Sequence, residues 1–191
     1  MRTRGEADDA VSEMETIVAL HPARCSILPV TSLDLRVVGY EHPDVTALVA
    51  RVQGEYVERY GSPDEGHVDP GEFVAPYGLF LVGYDALGTP LATGAWRVSP
   101  VRELGGSSAV ELKRMYVVPE HRGRGLARQV LAELEQTAAS VGHDLVVLET
   151  GTLQPEAIAL YRSEGYVEIP GFGHYAGHEL SRCFGKRVRE L

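Results

Sequence analysis

Between Val110 and Ala138 the hydrophobic period changes from that of a strand to that of a helix. Val110 and Leu112, then Met115 and Val117, alternate with polar neighbours, whereas Leu126, Val130, Leu131, Leu134 and Ala138 recur at helical spacing. The two stretches are joined by Pro119-Glu120-His121-Arg122-Gly123-Arg124-Gly125. A strand that passes through a glycine loop straight into a helix makes an anion cradle. The helix N-terminus leaves N–H groups without intrahelical acceptors and carries the positive end of the dipole, and glycine lets the backbone close on a phosphate. Arg122 and Arg124 add positive charge. Two common phosphate loops are excluded, since the dinucleotide fingerprint needs a third glycine and the P-loop ends in Gly-Lys-Ser/Thr.

The rest of the chain fits an α/β arrangement around this junction. Leu33 to Val38 alternates as a first strand, and Val45, Leu48, Val49, Val52, Tyr56 and Tyr60 define a helix from Pro43 that stops at Gly61-Ser62-Pro63. An acidic loop follows, with Asp64, Glu65, Asp69 and Glu72. Gly78–Tyr84 and Leu91–Val98 read as a hairpin, and 110–118 as the next strand of the meander. Within that last strand the apolar parity slips by one between Leu112 and Met115, which predicts a β-bulge. Asp144–Thr150 is a buried strand, Pro155 opens a helix that Gly165 can end left-handed, and 180–188 supplies a final strand. Residues 1–30 show no sustained period and are expected to form an N-terminal arm, with 31–191 as one domain.

Charge and composition remove several function classes. With 27 acidic against 18 basic residues the net charge is −9, which repels a phosphate backbone and argues against nucleic-acid binding. No apolar run reaches the roughly 20 residues of a membrane span, and the charged first residues lack a secretory apolar core, so no membrane partner and a cytoplasmic location are expected. Cys25 and Cys183 lie far apart without CxxC spacing and are expected to be reduced and structural. His174 and His178 have metal-like spacing but no third ligand in their glycine-rich loop, so no metal is expected.

Arg122-Gly123-Arg124-Gly125-Leu126-Ala127 resembles the acyl-CoA-binding motif Arg/Gln-x-x-Gly-x-Gly/Ala of the GCN5-related N-acetyltransferase (GNAT) superfamily. The preceding Glu-Leu-Lys-Arg-Met-Tyr-Val (111–117) resembles its strand, and Gln154 to Tyr166 its fourth helix with a Gly-Tyr exit. The likeness spans roughly 33–188 and is strongest over 111–166. It implies an α+β, three-layer fold: a mixed, mostly antiparallel twisted sheet of about six or seven strands flanked by about four helices. It implies an acetyl-CoA-dependent N-acyltransferase that moves the acetyl group directly to a primary amine of a small molecule. A protein or peptide acceptor and a regulatory acyl-CoA binder without turnover are the alternatives.

Carried over position by position, the resemblance implies that main-chain groups of Met115, Tyr116 and Val117 hold the pantetheine arm as an added strand. Arg122, Gly123, Arg124, Gly125, Leu126 and Ala127 would hold the pyrophosphate, and Gln154 and Ala157 would also contact the cofactor. Many members carry Asn where this chain has Gln154. Tyr161 stands at the general-acid position, and Glu111 is placed as general base, as an ion-pair partner of Lys113, or as a ligand for the substrate ammonium. Phe172, His174 and Tyr175, opposite the acidic loop, are the candidate acceptor contacts. A homodimer through an exposed sheet edge is compatible with all of this.

Overall fold

The computed structural model describes residues 32–66 and 68–188. The expected N-terminal arm, with Cys25, lies outside the described residues. Among the described residues, strands β1 (Asp34–Val38), β2 (Gly78–Tyr84), β3 (Pro90–Ser99), β4 (Ala109–Val117), β5 (Leu145–Gly151), β6 (Val167–Ile169) and β7 (Ser181–Arg187) form one sheet in the order β1-β2-β3-β4-β5-β7-β6. Every neighbouring pair is antiparallel except β4–β5. Helices α1 (Pro43–Tyr60), α2 (Leu126–Ser140) and α3 (Pro155–Ser163) are joined by short 3-10 turns at Pro70–Phe73 and Pro119–His121. About four helices were expected, and the described residues contain three α-helices and these two turns; the acidic stretch after α1, expected as a loop, carries one of the turns, capped by Asp69.

Local chemistry sets the helix ends where the sequence placed them. Pro43 occupies the first turn of α1, His42 Nδ1 accepts from the Asp44 N–H, and Gly61 closes the helix at φ 81° with its N–H on the Val57 carbonyl. The Tyr84 hydroxyl donates to Asp44 of α1, and Trp96 Nε1 donates to Thr137 of α2. Tyr84 belongs to the same sheet face as Ala95, while Trp96 belongs to the other, so α1 and α2 cover opposite faces. An Arg128–Glu164 ion pair, 2.7 Å, ties α2 to the end of α3. Val45, Leu48 and Val52 of α1, Val130 and Leu134 of α2, and Phe80, Trp96 and Leu148 of the sheet belong to one buried cluster. Ala109, Leu145, Val147, Ile169 and the Cys183 thiol form a smaller one.

Two irregularities in β4 shape what lies beside it. Thr93 pairs with Tyr116 and Ala95 with Lys113, so Arg114 and Met115 together oppose Gly94, and Arg114 takes a left-handed φ of 56°. This is the one-residue bulge anticipated from the parity slip. A left-handed non-glycine residue costs roughly 1–2 kcal/mol, and here the Arg114 guanidinium is held at 2.7 Å by Asp64 with its side chain 5% exposed. The second irregularity is that β4 and β5 pair only from Ala109↔Leu145 to Leu112↔Leu148. Beyond that point each strand keeps its outer partner, β3 or β7, and the two splay apart.

Candidate active site

The splay opens a cavity of about 660 Å³ bounded by α1, the end of β4, the glycine loop and α3. Met115, Tyr116 and Val117 present their β5-facing edge to it without a strand partner on that side. Gly123 and Gly125 adopt left-handed φ values of 73° and 78°, which turn the chain sharply into α2. As a result, no main-chain N–H from Gly123 to Ala127 finds an acceptor among the described residues. Unmet donors at a helix N-terminus fit a pyrophosphate. Arg122 stands at the same wall, its Nε on the Val117 carbonyl at 2.9 Å and its guanidinium paired with Glu55.

Of the residues expected to hold the cofactor, all but Arg124 line this cavity; the Arg124 guanidinium turns back toward the Glu120 carbonyl at 3.4 Å. Tyr161 lines it too and is 6% exposed. Burial raises the Tyr161 hydroxyl pKa well above its ordinary value, with nearby Tyr56 adding to the effect, so Tyr161 is protonated throughout the neutral range.

A second cavity, about 340 Å³, adjoins the first, and Tyr56 and Gln154 belong to the walls of both. Its charged lining is Asp64, Lys113 and Glu149, with Tyr60, Tyr175 and His178 among its rings. Tyr175 donates from its hydroxyl to Asp64 at 3.1 Å and accepts from the Glu65 N–H at 2.9 Å, fastening the β6–β7 loop to the loop after α1. Neither other residue expected at the acceptor is in this wall. His174 is exposed and packs edge-on against Tyr175, and Phe172 is half-buried against the smaller apolar cluster.

Glu111 lies outside both cavities. It is 7% exposed, with one carboxylate oxygen 2.9 Å from Arg97 and the other 3.2 Å from Lys113. Of the three roles left open for it, the geometry matches the ion-pair partner. Besides Asp64, which is paired with Arg114, the carboxylate facing the smaller cavity is Glu149, which sequence reasoning passed over. It accepts from Ser181 Oγ at 2.6 Å and has no cation within 4 Å among the described residues. Desolvation by burial raises its pKa from the ordinary carboxylate range, more than the Ser181 hydrogen bond and the Lys113 charge lower it. A signal was present in the sequence: a carboxylate directly after the apolar run Leu145-Val146-Val147-Leu148.

Residues 45–166 match the model of the Acetyltransferase (GNAT) family. The chain belongs to this family. Relatives of this GNAT acyltransferase include an IAA acetyltransferase of Azospirillum brasilense, 41% identical over 71 residues, which are 37% of this chain and 46% of that protein. An N-acetyltransferase of Schizosaccharomyces pombe is 33% identical over 128 residues, 63% of this chain and 75% of the yeast protein. The chain thus spans just under half of the first relative and three quarters of the second. A solved structure from Klebsiella pneumoniae, assigned as an acyl-CoA N-acyltransferase, superposes with a TM-score of 0.66 at 28% identity over 82% of this chain and 97% of that one. A spermidine N-acetyltransferase of Vibrio cholerae, solved with CoA and spermine, shares the GNAT fold at a TM-score of 0.59 and 15% identity, covering 82% of this chain and 96% of that one. Among the described residues no helix is long and apolar enough to cross a membrane.

Proposed function

We propose that this GNAT acyltransferase takes the acetyl group of acetyl-CoA and passes it directly to a primary amine of a small molecule, with both substrates bound at once. The observation that carries the reading is the pair of adjoining cavities sharing Tyr56 and Gln154. The larger one has the unpaired end of β4 and the unmet N–H groups that suit a pantetheine arm and a pyrophosphate, and the smaller has a desolvated carboxylate. Acetyl-CoA supplies an acyl thioester, whose thiolate, with a pKa near 8.5 like that of Cys, is a fair leaving group.

The chain's own residues account for the proton traffic. Glu149, with no cation within 4 Å among the described residues and raised in pKa, is the group suited to accept a proton from the incoming ammonium so that a neutral amine can attack. Tyr161, protonated and buried, is suited to give one to the departing sulfur. Glu111, neutralised by Arg97 and Lys113, acts as a fixed counter-charge beneath the site. The test is thiol release from acetyl-CoA across a panel of small amines. Wild type is expected to turn over at least one of them and Tyr161→Phe to lower kcat by roughly tenfold to a hundredfold, with folding checked by thermal melting. An unchanged kcat in the variant would remove the acid role, and no release with any amine would remove the transferase reading.

A further inference from the structure

The transferase reading leaves the acceptor unnamed, and the charges around the smaller cavity narrow it. Glu72, Arg97, Glu111 and Lys113 form an alternating series with contacts of 2.6, 2.9 and 3.2 Å. The series ends at Lys113, in the cavity wall. An ammonium has three N–H donors, and the described contacts of Lys113 occupy one of them, on Glu111 Oε1. Asp64 is spent locally, on the Arg114 guanidinium, the Tyr175 hydroxyl and the Gly66 N–H. Glu149 is not, since among the described residues Ser181 Oγ is the one hydrogen-bond partner of its carboxylate. The cavity therefore offers a cation with unused donors and a carboxylate with unused acceptor sites. The two are more than 4 Å apart, because no ion pair joins them, yet Lys113 still influences Glu149 electrostatically.

We infer that the acceptor is a small amino-carboxylate, a free amino acid or a close analogue, whose ammonium meets Glu149 and whose carboxylate meets Lys113. This rests on the transferase reading and names the substrate class of the same site. Such a ligand satisfies both charges at once. A polyamine would bring a second cation against Lys113, and a simple amine would leave the spare Lys113 donors unused, so the arrangement selects against both. The cavity volume, about 340 Å³, suits a small molecule. Tyr56, Tyr60, Tyr175 and Leu180 supply its aromatic and apolar walls for a side chain. In the reaction Glu149 takes the first proton of the ammonium, the C–N bond forms as the C–S bond breaks, CoA leaves as the thiol with the proton from Tyr161, and the second proton, shed as the nitrogen becomes an amide, restores Tyr161 while Glu149 returns the first to solvent.

The test compares each of the protein amino acids with its own α-carboxamide in the thiol-release assay, for wild type, Lys113→Met and Lys113→Gln. The pair differs in the carboxylate charge, and the amide has the less basic, more readily neutral amine, so preference for the acid cannot come from the fraction of neutral amine, and any difference in intrinsic nucleophilicity is common to wild type and variants. For the preferred side chain, wild type is expected to favour the acid in kcat/KM by roughly tenfold to a hundredfold, carried mainly by KM. Both variants are expected to collapse that ratio toward one. Glu111 keeps Arg97 in each variant, so neither leaves a buried carboxylate without a cation. Amides turned over as well as acids, or a ratio untouched by both variants, would overturn the amino-carboxylate inference and leave the transferase reading standing. No transfer to any amine by protein that still binds acetyl-CoA would overturn the transferase reading, and this inference with it.

Discussion

Glu149 and Glu111 stand on neighbouring strands, and their surroundings separate their chemistry. Glu111 shares its charge with Arg97 and Lys113, whereas Glu149 is desolvated and, among the described residues, its carboxylate is hydrogen-bonded by the Ser181 hydroxyl without an ion pair. A base must be ionised to work, so kcat/KM should fall as pH drops through the Glu149 pKa, which burial sets above the ordinary value of about 4.3. Glu149→Gln should lower kcat/KM by about a hundredfold and abolish that acidic limb in a pH–rate profile. The stability effect has the opposite sign. A carboxylate with a raised folded pKa binds its proton more tightly in the native state, so its contribution is full below the unfolded pKa and lost as pH rises through the folded value. At pH 7 the Gln variant should therefore match or exceed wild type in urea denaturation while losing activity. A pH profile unchanged by the substitution would return the base role to another group. The sequence made Glu111 visible because a motif strand carries it. Glu149 was hidden because desolvation and the absence of a cation are properties of the assembled site.

The glycine loop and α2 were legible because local signals agreed: two glycines, an apolar stripe of period 3.6, and a preceding strand of period two. The bulge was legible as a parity slip, although its consequence, Arg114 turned onto Asp64, depended on a loop whose path no pattern encodes. What the sequence withheld is the splay of β4 from β5, which arises from where pairing stops. Gly94 shows how tightly that region is built. A Cβ there would lie 2.8 Å from Met115 Sδ and from Val130 Cγ1, and 2.9 Å from Leu134 Cδ1. Gly94→Ala should cost about 1–3 kcal/mol and, by shifting Met115 in the cavity wall, also weaken acetyl-CoA binding. A melting temperature and affinity equal to wild type would contradict this packing. At the other end of the pairing, Asp144 joins β5 to the turn before β4 by accepting from the Ser107 and Ser108 N–H groups, with Arg187 of β7 beside it. Those hydrogen bonds, the Ser108 N–H foremost, push its pKa down to about 2. A lowered carboxylate pKa gives stability that is present above the unfolded value near 3.9 and lost as pH falls toward the folded value. Asp144→Asn should accordingly be less stable than wild type at pH 7, with the gap closing between pH ~4 and ~2.

At the scale of the whole molecule, a meander of antiparallel strands is joined to a β-α-β unit through one parallel pair, and the two halves part just past that joint. Both cavities open there, so the proposed cofactor side and the proposed acceptor side meet by construction of the sheet. The net charge of −9 lies across a molecule proposed to bind a polyanion. Affinity must then come from the glycine loop and its neighbouring arginines, because the long-range field opposes it. The proposed function stands or falls with this loop as the cofactor site. It is tested most directly by calorimetric titration of the purified protein with acetyl-CoA, beside a double variant carrying Gly123→Ala and Gly125→Ala. Both positions hold left-handed backbone that alanine adopts only with strain. A single site with a Kd of roughly micromolar order is expected, lost or weakened at least tenfold in the double variant while its fold persists. No heat at millimolar acetyl-CoA, or equal affinity in the two proteins, would contradict it.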